Sequence, residues 1–175
     1  MEEQENFVEI HLLGEKQHKQ LINDLKRSSF KDNKAFWIDA YSIMKNIDVE
    51  EKKVILKLST ANYSEEKWEK NSIFAIIFIG DTTSLDEIKK IYNNNQKYCS
   101  NAIKYIRVYN KEDFIDEENL KKFEAFSKKI NAQFEIDDNL ISDKFLIDII
   151  KDVLIRKEIE NEEKVEKKES CCIIS

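Results

Sequence analysis

Short apolar runs alternate with longer amphipathic segments along this chain, and the alternation predicts a protein built from both strands and helices. The runs are rich in β-branched and aromatic residues, as expected of strands buried in a sheet. The predicted strands are residues 7–13, 36–47, 53–58, 72–79, 103–109 and 132–136. The run at 72–79 is the most hydrophobic, so we expect it at the centre of the sheet.

Apolar residues at helical spacing predict four helices. They cover residues 17–27, a segment that starts at Leu85, residues 117–130 and residues 145–155. Ser84 and Glu87 have the spacing of a capping box for the second helix. Ser142 is placed to cap the last one.

The order of these elements predicts the fold class. A helix between most successive strands implies a mainly parallel sheet with helices on both faces. Residues 48–51 are too few for a helical crossover, so the strands on either side should form an antiparallel hairpin. We therefore predict an α/β three-layer domain over residues 1–157, with a six-stranded, mainly parallel sheet and one antiparallel edge strand.

Composition narrows the class of partner. The chain has 175 residues, 41% of them hydrophobic, and a formal net charge of −6, so we expect a folded domain and no nucleic-acid partner. No apolar run is long enough to span a membrane, and the acidic first residues are unlike a secretory signal, so we expect a cytosolic protein. The chain has 2 glycines and no proline, so tight turns must use other residue types.

Residues 158–175 differ from the domain that precedes them. The segment 156–170 contains 5 basic and 6 acidic residues and almost no apolar ones. We expect residues 158–175 to be a flexible tail, either a frayed helix end or a disordered segment.

Four segments, in the order in which they occur, resemble the Rab type of small GTPase in the Ras superfamily. VEIHLLGEKQHKQLINDL is similar to the first strand, phosphate loop and first helix of that family, and LKLSTANYSEE to its third strand and second switch. AIIFIGDTTSLDEI resembles the fourth strand with its Asp-x-Thr turn, and RVYNKEDF resembles the guanine-specificity motif. The resemblance spans residues 7–175 and implies a P-loop-type small GTPase domain.

The guanine motif is the best retained part of this resemblance. Asn110, Lys111 and Asp113 match N-K-x-D directly after a predicted strand. The resemblance implies that the Asp113 carboxylate accepts two hydrogen bonds from guanine, which adenine cannot supply. It also implies that Asn110 holds the loop and that the Lys111 stem lies along the base.

The phosphate loop departs from the family pattern G-x-x-x-x-G-K-[ST]. Gly14 matches the first glycine and Lys19 the phosphate lysine, but His18 and Gln20 replace the second glycine and the magnesium hydroxyl. A side chain at the second glycine obstructs the amides that wrap the phosphates. The alternative interpretation is an ordinary strand–helix turn with solvated charges.

The magnesium and water positions also depart from the family. Ser59, Asn62 and Tyr63 replace the Asp, Gly and Gln of the family's D-x-x-G-Q, and residues 30–41 contain no Thr. Hydrolysis depends on charge neutralisation and water positioning by such groups. We therefore expect weak GTP or GDP binding, a poor magnesium site, no catalytic residue and little or no hydrolysis.

The chain ends in Cys171-Cys172-Ile-Ile-Ser, which resembles a Rab C-terminus in which both thiols are geranylgeranylated. The last four residues also fit C-a-a-X with a final Ser, which favours farnesylation of Cys172. Stable anchoring needs two lipid signals, and Cys171 can carry the second. The alternative interpretation is a chance pair of cysteines.

Partner surfaces follow from the same resemblance. Rab proteins bind effectors through an apolar patch across their switches, and Trp37, Tyr41, Leu58 and Trp68 fall where that patch would lie. The alternative is that these residues belong to the core.

Three functional hypotheses remain. The first is a prenylated pseudo-GTPase adaptor on the cytoplasmic face of an intracellular membrane, with protein effectors and the prenylation and escort machinery as partners. The second is a working switch that binds GTP or GDP weakly. The third is an enzyme with an unrelated site, for which the chain offers only His11 and His18 and no metal-spaced or triad-like cluster.

Overall fold

A single sheet organises the chain in a computed structural model that describes residues 6–14, 36–39, 42–60, 74–110, 116–138 and 142–172. Its strands are β1 (Asn6–Leu13), β2 (Phe36–Asp39), β3 (Ser42–Val49), β4 (Lys52–Thr60), β5 (Ala75–Asp81), β6 (Ile103–Tyr109) and β7 (Ala132–Asp137). The helices are α1 (Leu85–Asn95), α2 (Glu117–Ile130) and α3 (Asp143–Cys172). The helix predicted over residues 17–27 lies outside the described residues.

The seven strands lie in the order β2-β3-β4-β1-β5-β6-β7. The five strands from β4 to β7 in this order are parallel, whereas β3 pairs antiparallel with both β2 and β4. The predicted α/β class is confirmed, and the order is consistent with a P-loop-type three-layer fold. The additional strand arises because the predicted strand 36–47 is divided: β2 folds back on β3, without a glycine or proline to mark the reversal.

Alternating side chains of the central strands give the sheet two apolar faces. One face packs against α3 and includes Val8, Ile10, Leu12, Leu56, Ile77, Leu146, Ile149 and Val153. The other packs against α1 and α2 and includes Ile76, Phe78, Ile88, Ile106, Phe123 and Phe126. Because β5 contributes to both faces, its continuous apolar run is explained, and it is central as predicted.

The β3–β4 hairpin turns over two acidic residues in the left-handed region. Glu50 has φ 49° and Glu51 has φ 68°, as in a two-residue turn that usually contains Asn and Gly. The turn is therefore shorter than the predicted 48–51. Because no glycine is present there, two glutamates adopt left-handed backbone angles that are unfavourable for residues with a Cβ. The Glu50 carboxylate accepts a hydrogen bond from Lys151 of α3 at 2.5 Å, which holds the turn against the helix.

Helix α3 begins as predicted and continues further than predicted. The amide of Phe145 donates to the Ser142 hydroxyl at 3.2 Å, so Ser142 is the N-cap. Residues 158–172, predicted as a flexible tail, continue the same helix, and Glu158 pairs with Lys52 at 2.5 Å where α3 passes the start of β4. Strong helix formers and the Glu-to-Lys spacings 160–164 and 163–167 favour this continuation.

Candidate functional site

The carboxyl ends of the parallel strands meet at one edge of the sheet, which we call the carboxyl edge. Gly14 follows β1, Asp81 ends β5, Asn110 follows β6 and Asp137 ends β7. Ligands of open α/β sheets bind in the crevice outside this edge. The edge is therefore the candidate site, and it contains two of the predicted residues, Gly14 and Asn110.

Gly14 is required by strand packing. A Cβ added to Gly14 would lie 2.5 Å from the carbonyl oxygen of Ile79 in the neighbouring strand β5. The half-buried glycine thus lets β1 and β5 approach closely at their carboxyl ends. This packing explains the glycine without a phosphate ligand, so its presence is not by itself an argument for a phosphate loop. Lys19, the other predicted phosphate residue, lies outside the described residues.

Asp81 organises the turn between β5 and α1. Its Oδ1 accepts hydrogen bonds from the Thr83 amide at 2.8 Å, the Thr83 hydroxyl at 2.7 Å and the Ser84 hydroxyl at 2.8 Å. Gly80 is needed beside it, because an added Cβ would lie 2.5 Å from the Ser84 Cβ. The predicted capping box is wrong: the Ser84 hydroxyl makes no cap to α1, because its oxygen accepts from the Asp81 backbone amide at 3.0 Å while its proton goes to the Asp81 carboxylate.

Asn110 lies half-buried beside the end of β7. Its backbone amide donates to the backbone carbonyl oxygen of Asp137 at 3.1 Å, which extends the β6–β7 pairing to the first residue of the N-K-x-D sequence. The predicted partners Lys111 and Asp113 lie outside the described residues. Asp137 is half-buried at the end of β7, and Asp138 is exposed.

Arg107 is a buried cation at the same edge, and sequence reasoning missed it. Its side chain is 3% exposed, and its guanidinium donates to the carboxylates of Glu135 and Asp137 on β7. The guanidinium also lies 4.4 Å from the ring centroid of Phe145 on α3. The signal available in the sequence was an Arg inside a predicted strand, with Glu135 inside the next predicted strand and Asp137 directly after it.

The carboxyl edge is rich in carboxylates. Asp81, Asp137 and Asp138 lie there, and the Arg107 guanidinium is ion-paired with Asp137 and Glu135. A nucleotide polyphosphate is strongly anionic and is normally held by amides, lysine and magnesium. The described carboxylates are unfavourable for such a group, whereas residues 15–20, which follow β1, lie outside the described residues. Among the described residues, no set of three or more His, Cys, Asp or Glu side chains could hold a metal ion.

His11 lies away from this edge, in the interior of the sheet. It is 4% exposed, its ring meets the Phe74 ring edge-on at 5.0 Å, and its Nε2 is 3.8 Å from a Glu9 oxygen that also accepts from Lys57 at 2.7 Å. Burial outweighs the attraction of Glu9 and lowers the pKa of His11 to about 4. The imidazole is therefore neutral at physiological pH, which suits a structural role better than proton transfer. His18 lies outside the described residues.

The predicted partner surface is only partly described. Leu58 is 3% exposed and belongs to the core beneath α3, so its assignment to an effector surface is wrong and the core alternative holds. Trp37 lies in β2, opposite Ile43 of β3. Tyr41 and Trp68 lie outside the described residues.

The two predicted lipidation residues, Cys171 and Cys172, form the last turn of α3. No helix among the described residues is both long enough and apolar enough to span a membrane.

Comparison with protein-family models finds no model that matches the chain, and comparison with curated proteins finds no match either.

Proposed function

We propose that the chain is a Rab-like, lipid-anchored pseudo-GTPase that acts as an adaptor or regulator in vesicle traffic. It would sit on the cytoplasmic face of an intracellular membrane, attached through prenyl groups on Cys171 and Cys172. Its partners would be protein effectors and the prenylation and escort machinery. Its surface would be set by its sequence and not by a bound nucleotide.

One observation carries the proposal: Asn110 begins an N-K-x-D sequence at the end of β6, beside an edge occupied by carboxylates. The position of the N-K-x-D sequence directly after a strand is what the family resemblance implies for a guanine-reading motif. The carboxylates are unfavourable for a triphosphate, because Asp81, Asp137 and Asp138 add negative charge to the carboxyl edge, outside which a ligand of an open α/β sheet binds. The replacements His18, Gln20 and Ser59 should also weaken binding of a triphosphate, because the glycine, the magnesium hydroxyl and the Asp of the family pattern are missing.

The nucleotide test is a titration of the full chain with fluorescent GDP in the presence of magnesium. We expect no saturation below about 100 μM, a binding free energy weaker than about −5.5 kcal/mol. Asp113→Ala is the matched control, because it removes the carboxylate that would read guanine. Micromolar binding that Asp113→Ala abolishes would overturn the pseudo-GTPase proposal.

That same outcome would establish the second candidate, a weak guanine-nucleotide switch. The observation that favours it is the hydrogen bond from the Asn110 backbone amide to the Asp137 carbonyl at 3.1 Å, which holds the first residue of the N-K-x-D sequence at the carboxyl edge. Fluorescent ADP separates the two ligands, since a guanine-reading carboxylate discriminates against adenine.

The anchor is tested by fractionating cells that express the full chain. Replacing both Cys171 and Cys172 by Ser should move the protein from membranes to the soluble fraction. Each single replacement should weaken membrane attachment, because one prenyl chain binds membranes only marginally. Continued membrane association of the double variant would exclude the anchor while leaving the nucleotide question unchanged.

A further inference from the structure

Arg107 has a role that the proposed function does not use. Its guanidinium is permanently charged and its side chain is 3% exposed. Its neighbours in β6, Ile106 and Val108, are buried apolar residues. A buried charge persists only when it is paired and hydrogen-bonded. The pairing is supplied by one strand: Glu135 and Asp137 lie two residues apart on β7 and both accept from the Arg107 fork.

The two carboxylates differ in what else they hold. Glu135 lies opposite Arg107 in the register of β6 and β7, inside the paired region. Asp137 is the last residue of β7, opposite Tyr109, and its backbone carbonyl accepts the Asn110 amide at 3.1 Å. A continuous path therefore runs from Phe145 of α3 through the guanidinium to Asp137 and on to Asn110.

We infer that Arg107 is a positioning residue that holds Asn110, the first residue of the N-K-x-D sequence, in place through Asp137, without a bound nucleotide. The inference rests on the proposed function only in treating Asn110 as part of the site. The cation fixes the end of β7, the end of β7 fixes Asn110, and the ring of Phe145 ties both to α3. The carboxyl ends of β6 and β7 are thus held together by the chain's own charges.

The test compares two truncations of the same ion cluster by NMR-detected hydrogen exchange on the full chain without nucleotide. Asp137→Ala removes the carboxylate of the residue whose backbone carbonyl accepts the Asn110 amide, and Glu135→Ala removes the other carboxylate. Their side chains are 37% and 47% exposed, so neither truncation opens a buried cavity. The reference amide is Ile103, which donates to Phe74 at 2.9 Å at the opposite end of β6.

We expect Asp137→Ala to speed exchange of the Asn110 amide about tenfold relative to Ile103, because local opening at that end becomes easier. Glu135→Ala should change the same ratio by less than about twofold, because Arg107 keeps its link to Asp137. Arg107→Lys, which keeps the charge but loses the fork, should give an intermediate ratio.

Equal effects of the two truncations on Asn110, or acceleration of Asn110 and Ile103 together, would overturn the inference and leave Arg107 a general packing residue. Adding GDP and magnesium to the unmodified chain tests the proposed function separately. If GDP slows Asn110 exchange, the nucleotide-independent proposal fails, whereas the comparison of the two truncations still decides the role of Arg107.

Discussion

The buried imidazole of His11 makes stability depend on pH in a way that can be calculated. Replacing it by Gln removes the titrating group and keeps a polar side chain between Phe74 and Glu9. The folded protein lowers the pKa of His11 to about 4 from 6.5, so the unfolded chain takes up a proton in a pH range where the folded chain does not. The folded state is therefore favoured above pH 6.5, and this contribution is lost as the pH falls towards 4.

The magnitude follows from the two pKa values. The full contribution is about 3 kcal/mol, and about 2 kcal/mol of it is lost between about pH 7.5 and about pH 5. Because the carboxylates titrate in both proteins, the difference between the unmodified chain and His11→Gln isolates the imidazole. We therefore expect the variant to lose about 2 kcal/mol less than the unmodified chain over that interval.

The assay is urea unfolding followed by circular dichroism at several pH values, with ¹H–¹⁵N NMR of the imidazole as a direct check. The ring should remain neutral down to about pH 5. His18→Gln, made in parallel, measures the contribution of the second imidazole in the chain. Identical pH slopes for the unmodified chain and His11→Gln, or a ring that titrates near its ordinary pKa, would refute the account of a desolvated structural histidine.

Three further predictions concern stability, each measured by urea unfolding. Glu51→Gly should stabilise the protein by about 1 kcal/mol because residue 51 has φ 68°, whereas Glu51→Ala should not; equal effects would attribute the change to charge and not to the backbone. Gly14→Ala should destabilise by about 1–3 kcal/mol, because the new Cβ meets the Ile79 carbonyl; an unchanged midpoint would show that β1 and β5 can separate freely. Leu58→Ala should cost about 2–5 kcal/mol as a core truncation, and a loss of partner binding without that cost would return Leu58 to the surface.

Most of the architecture could be predicted because the hydrophobic pattern of each segment matches the face that the segment buries in the folded protein. The bounds of β6 and α2 match the sequence expectation, since an apolar β-rich run and a helical apolar stripe each bury a face against one core. Ser142 could be identified as a cap because its partner, Phe145, lies within the same turn. Such features depend on neighbours in sequence.

The features that could not be predicted depend on partners distant in sequence or on competition between partners. Arg107 is explained only by carboxylates 28 and 30 residues further along the chain. Ser84 has the spacing of a cap, but Asp81 competes for its hydroxyl. The Glu50–Glu51 turn lacks the glycine that usually marks such a turn.

The candidate site was predicted less completely than the fold. The sequence located Asn110 at a strand end, but it left Gly14 open between a phosphate loop and an ordinary strand–helix turn, and strand packing accounts for this glycine. A glycine motif cannot distinguish close approach to a ligand from close approach to a neighbouring strand, because both require the same missing Cβ.

The length of α3 has a mechanical consequence. Its 14 residues beyond Glu158 add about 21 Å of helix, and Ile159 and residues 161–164 are exposed, so the stretch 159–164 buries little apolar surface. A helix of that length supported by so little packing has a folding free energy near zero. Its helical and open populations are then comparable, and a contact worth about 1 kcal/mol redistributes them several-fold. The stretch of α3 beyond Glu158 should thus change shape in response to weak contacts more readily than the buried strands of the sheet.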